Sequence, residues 1–127
     1  MQPQQVEKYL CSKPEVTVDY PFGDDVKVFK VKNKMFATLA KGPESVFKGA
    51  SEHYWVNLKC DPTEALMLRD IFKSVRAGYH MNKAHWNSVI LDSLIPQGEL
   101  VRMMDNSYML VVNNMTKKDQ QSILVHL

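Results

Sequence analysis

The chain has 127 residues, 45% of them hydrophobic, with 16 Lys and Arg against 14 Asp and Glu, for a formal net charge of +2. That length fits one domain with its own core, and the hydrophobic content excludes an intrinsically disordered chain. The small charge excess excludes any nucleic-acid argument from bulk charge, so such an argument must rest on where the lysines sit. Residues 4–10 are expected as a short helix, with Val6, Tyr9 and Leu10 at helical spacing, Pro3 in its first turn and Pro14 beyond its end. Residues 16–20 favour a strand, and residues 21–25 are dense in turn formers. Residues 26–31 and 34–40 read as a hairpin closed by Lys32-Asn33, a pair suited to a type I′ turn. Residues 47–51 read as a loop or a weak strand.

Residues 53–58 form the next expected strand, with Tyr54, Val56 and Leu58 on one face and His53, Trp55 and Asn57 on the other. Asp61-Pro62 is a helix start, the aspartate as cap and the proline in the first turn. Ala65, Leu66, Leu68, Ile71, Phe72 and Val75 supply the expected apolar stripe of that helix. Residues 86–91 read as a strand, and Pro96 opens a helix running to residue 113 or 114. Thr116 with Asp119 marks a last short helix ending near residue 127. Tight hairpins cannot join parallel strands, so the class is α+β with an antiparallel sheet.

The densest stretch chemically is Tyr79-His80-Met81-Asn82-Lys83-Ala84-His85-Trp86, directly after Gly78. It packs two aromatics, two imidazoles, an amide and an ammonium into eight residues, which serves packing and recognition together. Together with Asp19-Tyr20-Pro21-Phe22-Gly23, Val28-Phe29-Lys30-Val31, Lys34-Met35-Phe36-Ala37, Val56-Asn57-Leu58-Lys59-Cys60-Asp61-Pro62 and Ser107-Tyr108, it resembles the MmcQ/YjbR family of small bacterial proteins. The resemblance covers nearly the whole chain. It implies a single domain over residues 1–127, a CyaY-like twisted antiparallel sheet packed on helices, and binding of double-stranded DNA through two wings, with no enzymatic reaction.

Under that resemblance the first wing is the hairpin with Lys27, Lys30, Lys32 and Lys34, whose ammonium groups replace phosphate counterions. The second is the segment 79–86, with Asn82 and Lys83 facing the ligand. Taken without the resemblance, lysines on such a hairpin equally serve to keep a sheet edge from pairing with other chains. The alternative function is a small-molecule or protein-partner module with a pocket built from Tyr79, His80, His85 and Trp86. One of the two imidazoles is then expected as a buried post tying the segment to the sheet.

No catalytic, metal or cofactor site is expected. The two histidines of the segment have no nearby carboxylate or cysteine to complete a metal shell, and Ser88 and Ser107 lack a glycine-flanked nucleophile turn. Cys60, beside Lys59 at a helix start, is read as an ordinary small apolar residue, a lowered pKa being the alternative. The methionines, among them Met67, Met81, Met103, Met104 and Met109, read as core filling. Residues 1–10 lack the pattern of a secretory leader, and no apolar run approaches the about 20 residues of a membrane span. A cytoplasmic monomer with two free thiols, Cys11 and Cys60, is expected.

Overall fold

The structure is a computed structural model that describes residues 1–43 and 53–126. The expected loop or weak strand at 47–51 lies outside the described residues. The elements, in chain order, are α1 (Pro3–Cys11), β1 (Val16–Asp19), β2 (Lys27–Val31), β3 (Lys34–Lys41), β4 (Tyr54–Lys59), α2 (Pro62–Ile71), β5 (Val75–Ala77), β6 (Trp86–Ile90), α3 (Gln97–Asn113) and α4 (Lys117–Leu124). The strands form one sheet in the order β1-β2-β3-β4-β6-β5, with every neighbouring pair antiparallel. The protein therefore has the expected α+β fold, an antiparallel sheet packed on helices.

Helix starts follow the local chemistry. The Asp61 side chain accepts from the N–H groups of Thr63 and Glu64, and Thr116 Oγ1 accepts from Asp119 N at 3.2 Å. Lys32 and Asn33 sit at φ of 46° and 64°, the pair of positive values a type I′ turn requires.

Register divides the sheet into two faces. Leu39, Val56, Val89 and Val75 lie in one cross-strand row facing the helices. Val6 and Leu10 of α1, Leu68 of α2, five apolar residues of α3 and Ile123 of α4 close over that face as one core. Tyr108 fills its centre, with its ring edge-on to Phe36 at 5.3 Å and 84°. Phe36 is there because β3 bulges: Phe29 pairs with Ala37 and Lys30 with Met35, so Phe36 is the extra residue. The bulge lets consecutive residues, Phe36 and Ala37, both enter the same core.

Three details depart from the sequence expectations. Leu66 and Ile71 are 63% exposed, since α2 touches the core only through Ala65 and Leu68. The helix ends at Ile71, so Phe72 lies past it and Val75 belongs to β5, a strand of three residues that carries no periodic signal. Met67 is exposed on the same outer side of α2, whereas Met103 and Met104 are buried as expected.

Candidate functional site

The face of the sheet away from the helices is built around a polar row. Thr38, Asn57 and Ser88 are cross-strand neighbours across β3, β4 and β6, and Ala40, Trp55 and Ile90 form the next row. The alternation expected for β4 holds: Val56 and Leu58 enter the main core while Trp55 and Asn57 face the other way.

Gly78 turns the chain between β5 and β6 at a point of close approach. A Cβ there would lie 2.7 Å from Trp86 Cβ and 2.9 Å from the Trp86 carbonyl oxygen, so only glycine fits. The residues that follow fold back over the sheet. Tyr79 N donates to Ser88 Oγ at 2.9 Å, the Ser88 hydroxyl donates to Asn57 Oδ1, and Asn57 Nδ2 donates to the Tyr79 carbonyl at 3.4 Å. The Tyr79 ring then meets Trp55 at 6.2 Å and 72°, and His80 at 4.0 Å. His80 adopts this position at φ 58°, a left-handed conformation that histidine tolerates better than most side chains.

The rest of the segment is held by itself and by α2. Asn82 Oδ1 accepts from Ala84 N at 2.9 Å and His85 N at 3.2 Å, and Lys83 Nζ donates to the Gly78 carbonyl at 3.0 Å. Arg69 reaches in from α2: Nε donates to Asn87 Oδ1 at 2.7 Å, and Nη2 donates to the carbonyls of Lys83 and Trp86. Both imidazoles of the segment are exposed. The expected buried histidine post is therefore Arg69, aided by Ser88. Nothing in the sequence of α2 marks Arg69, because its partners lie 14 to 18 residues away.

The four residues of the candidate pocket do not converge. Tyr79 and His80 line a cleft of about 390 Å³ with Phe22, Thr38, Lys41, Trp55 and Met81. Trp86 lines a separate groove of about 550 Å³ with Lys32, Lys34, Met35, Lys59, Thr116 and a carboxylate, Asp119. His85 lines neither.

The hairpin lysines also divide. Lys27 pairs with Glu7 of α1, which raises its pKa, and so points away from the turn. Lys30 pairs with Asp19 at 3.1 Å, and the Tyr20 N–H together with that ammonium holds the Asp19 carboxyl below its usual value. Lys32 pairs with Glu15 at 3.1 Å, whereas Lys34 makes no ion pair among the described residues. Lys32 and Lys34 nevertheless border the same groove as Lys59, whose ammonium lies 6.0 Å from the centre of the Trp86 ring.

Register places these groups together. The turn at 32–33, the end of β4 at Lys59 and the start of β6 at Trp86 lie at one end of the sheet, because Lys59 pairs with Trp86 and β3 runs antiparallel to β4. The connection from β5 to β6 turns at that end as well. Two hairpins, β2–β3 and β5–β6, thus flank the end of β4.

The remaining nucleophile candidates are occupied. Ser107 Oγ donates to the Phe36 carbonyl at 2.5 Å and accepts from Lys59 N at 2.8 Å. Burial pushes the Cys60 thiol up to about 11, with Glu64 and Asp61 adding to the effect, against the lowered value that Lys59 and the helix start would give. At pH 8 about one Cys60 in a thousand is then thiolate, against roughly a quarter of unperturbed cysteines. Iodoacetamide at pH 8 should modify Cys60 in the native protein at least 100-fold more slowly than in the urea-unfolded chain. Timed alkylation with peptide mass spectrometry measures both rates, and near-equal rates would contradict the burial argument. No group of three or more His, Cys, Asp or Glu placed to hold a metal ion occurs among the described residues.

Comparison with known proteins agrees with the motifs. A family model described as YjbR matches residues 11–110. The uncharacterized protein YbdF of Escherichia coli O157:H7 is 36% identical over 120 residues, covering 94% of this chain and 92% of its own. The uncharacterized protein YjbR of Escherichia coli K12 is 34% identical over 100 residues, covering 76% of this chain and 84% of its own. A crystal structure of a Deinococcus radiodurans protein with a DUF419 domain superposes with a TM-score of 0.82 at 28% identity, over 96% of this chain and 87% of that one. A Pseudomonas syringae protein superposes with a TM-score of 0.75 at 28% identity, over 87% of this chain and 98% of its own. With matched segments, shared topology and a family model spanning most of its length, the chain belongs to the YjbR family.

Proposed function

We propose that this protein is a cytoplasmic, monomeric binding module for double-stranded DNA, not an enzyme, and that it grips the phosphate backbone with little sequence preference. The observation that carries this reading is the convergence of Lys32, Lys34 and Lys59 on one groove at the hairpin end of the sheet. The β2–β3 turn acts as the first wing and the 78–85 connection as the second. Three interstrand spacings of about 4.8 Å separate the two turns by about 14 Å, comparable to the about 12 Å width of the DNA major groove. Lys83 is exposed on the second wing, although one of its three N–H donors is committed to Gly78. Lys27 and Lys30 do not line this groove and play no direct part in this grip. Both cysteines are free thiols, which supports a reducing compartment. The buried hydrogen bonds of Ser88 and Ser107 support binding over catalysis.

Fluorescence anisotropy of a labelled mixed-sequence duplex tests the proposal. With three phosphate contacts the slope of log affinity against log salt is about −2.7, so raising salt fourfold weakens binding about 40-fold. The double variant Lys34→Glu/Lys59→Glu should abolish binding, while Lys27→Glu/Lys30→Glu should weaken it less than about fivefold. Equal losses in the two double variants would move the interface off the groove. No binding by the unaltered protein at low salt would end the DNA reading.

A further inference from the structure

The cleft of about 390 Å³ on the face away from the helices has no part in the DNA grip. Two of its aromatic lining residues pack together: the Trp55 and Tyr79 rings meet edge-to-face at 6.2 Å and 72°, and Tyr79 is the more exposed of the two. The Gly42 main chain closes against the indole so tightly that a Cβ there would come within 2.1 Å of Trp55 Nε1. On the sheet side lies Thr38, only 4% exposed, whose hydroxyl makes no hydrogen bond among the described residues. Such a hydroxyl, at the floor of the cleft, is free to hydrogen-bond a ligand's polar atom. Among the described residues no carboxylate lines the cleft, whereas Lys41 and His80 do.

We propose that this cleft is a binding site for a planar aromatic molecule of one or two fused rings, neutral or singly anionic, with a ring heteroatom or polar substituent that hydrogen-bonds Thr38. The volume lies near the bottom of the range for ligand pockets, about 300–1,000 Å³, which sets the limit of two rings. A cation is disfavoured because Lys41 would oppose it and no acid among the described lining residues would offset it.

Quinoline-2-carboxylate, quinoline-2-carboxamide and protonated 2-(aminomethyl)quinoline provide one ring system in three charge states. Titrated into the ¹⁵N-labelled full chain, the first two should shift the amides of Thr38, Ala40, Trp55 and Tyr79 and saturate with Kd of about 0.1 mM, ordinary for about a dozen heavy atoms. The aminomethyl compound should bind at least tenfold more weakly. Thr38→Val keeps the side-chain shape and should weaken the carboxamide about tenfold. Ala40→Leu fills the cleft and should abolish binding; if that variant does not fold, Thr38→Val carries the test. No saturable shift at these amides with any compound at 5 mM overturns the proposal, as does unchanged affinity in Thr38→Val or a preference for the cation. The duplex assay and this titration read different surfaces, so one can fail without the other.

Discussion

Replacing Tyr108 with alanine should lower the stability of this protein by about 4 kcal/mol, the middle of the range for removing a buried aromatic ring. The ring is 1% exposed, packs edge-on against Phe36, and its hydroxyl donates to the Pro14 carbonyl at 2.7 Å. Truncation therefore leaves a cavity at the centre of the core and an unpaired carbonyl at the chain bend after α1. A domain of this size rarely has more than about 15 kcal/mol in total, so the loss is a large fraction of it. Thermal unfolding followed by circular dichroism should show the midpoint falling by about 15 °C. Tyr108→Phe keeps the ring and should cost only about 1 kcal/mol. Burial and the Glu15 carboxylate raise the hydroxyl pKa to about 12, so the folded state resists its ionisation. Stability from this group is complete below about pH 10 and declines as pH rises toward 12, because the unfolded chain ionises first. Tyr108→Phe should flatten that alkaline decline. A loss below 1.5 kcal/mol for Tyr108→Ala would show that the ring is not central to the core.

Much of this architecture was legible because its signals are local. Lys32-Asn33, Asp61-Pro62 and Thr116 with Asp119 each act within four residues of themselves, and each forms the turn or cap its sequence implies. The strand β4 was readable for the same reason, since alternation over six residues sorts Val56 from Trp55. The apolar stripe of α2 misled because hydrophobicity does not say which flank meets the sheet, and Leu66 and Ile71 fall outside the contact.

The candidate site was less legible because it depends on partners distant in sequence. Nothing around the hairpin shows that Lys27, Lys30 and Lys32 meet Glu7, Asp19 and Glu15, which sit on other elements. Counting those three with Lys34 as a four-charge wing overstates the charge presented to a ligand. Lys59 shows the converse: nothing local marks it, and only the register of β4 against β6 brings it to the groove beside Lys34. Likewise the segment 79–86 is one run in sequence but serves two surfaces. Tyr79 and His80 fold over the sheet, and Trp86, eight residues after Gly78, re-enters it at the other side of the turn.

That division makes Arg69 the residue on which both surfaces depend. Arg69→Met preserves the length and bulk of the side chain but removes the donors to Asn87, Lys83 and Trp86. Hydrogen bonds from a charged group contribute about 1.5–3 kcal/mol each when buried, and Asn87, 2% exposed, would lose the donor to its Oδ1 while its Nδ2 keeps the Ala65 carbonyl. Because Arg69 is half-buried, the summed local loss should be about 3 kcal/mol, not the full sum. Hydrogen exchange at Gly78 and His85, whose amides donate to Trp86 and Asn82, should accelerate about 100-fold, while amides of α3 change little. Lysine offers a point charge in place of a planar fork, so Arg69→Lys should recover less than half of the protection. With the connection loosened, Tyr79 no longer holds its corner against Trp55 and the second wing no longer holds its place beside Lys59. Duplex affinity and quinoline-2-carboxamide affinity should therefore both drop in Arg69→Met, although Arg69 lines neither the groove nor the cleft. Unchanged exchange at Gly78 and His85 would show that the Tyr79–Ser88–Asn57 bonds alone fix the segment, and the shared dependence of the two surfaces would fall with it.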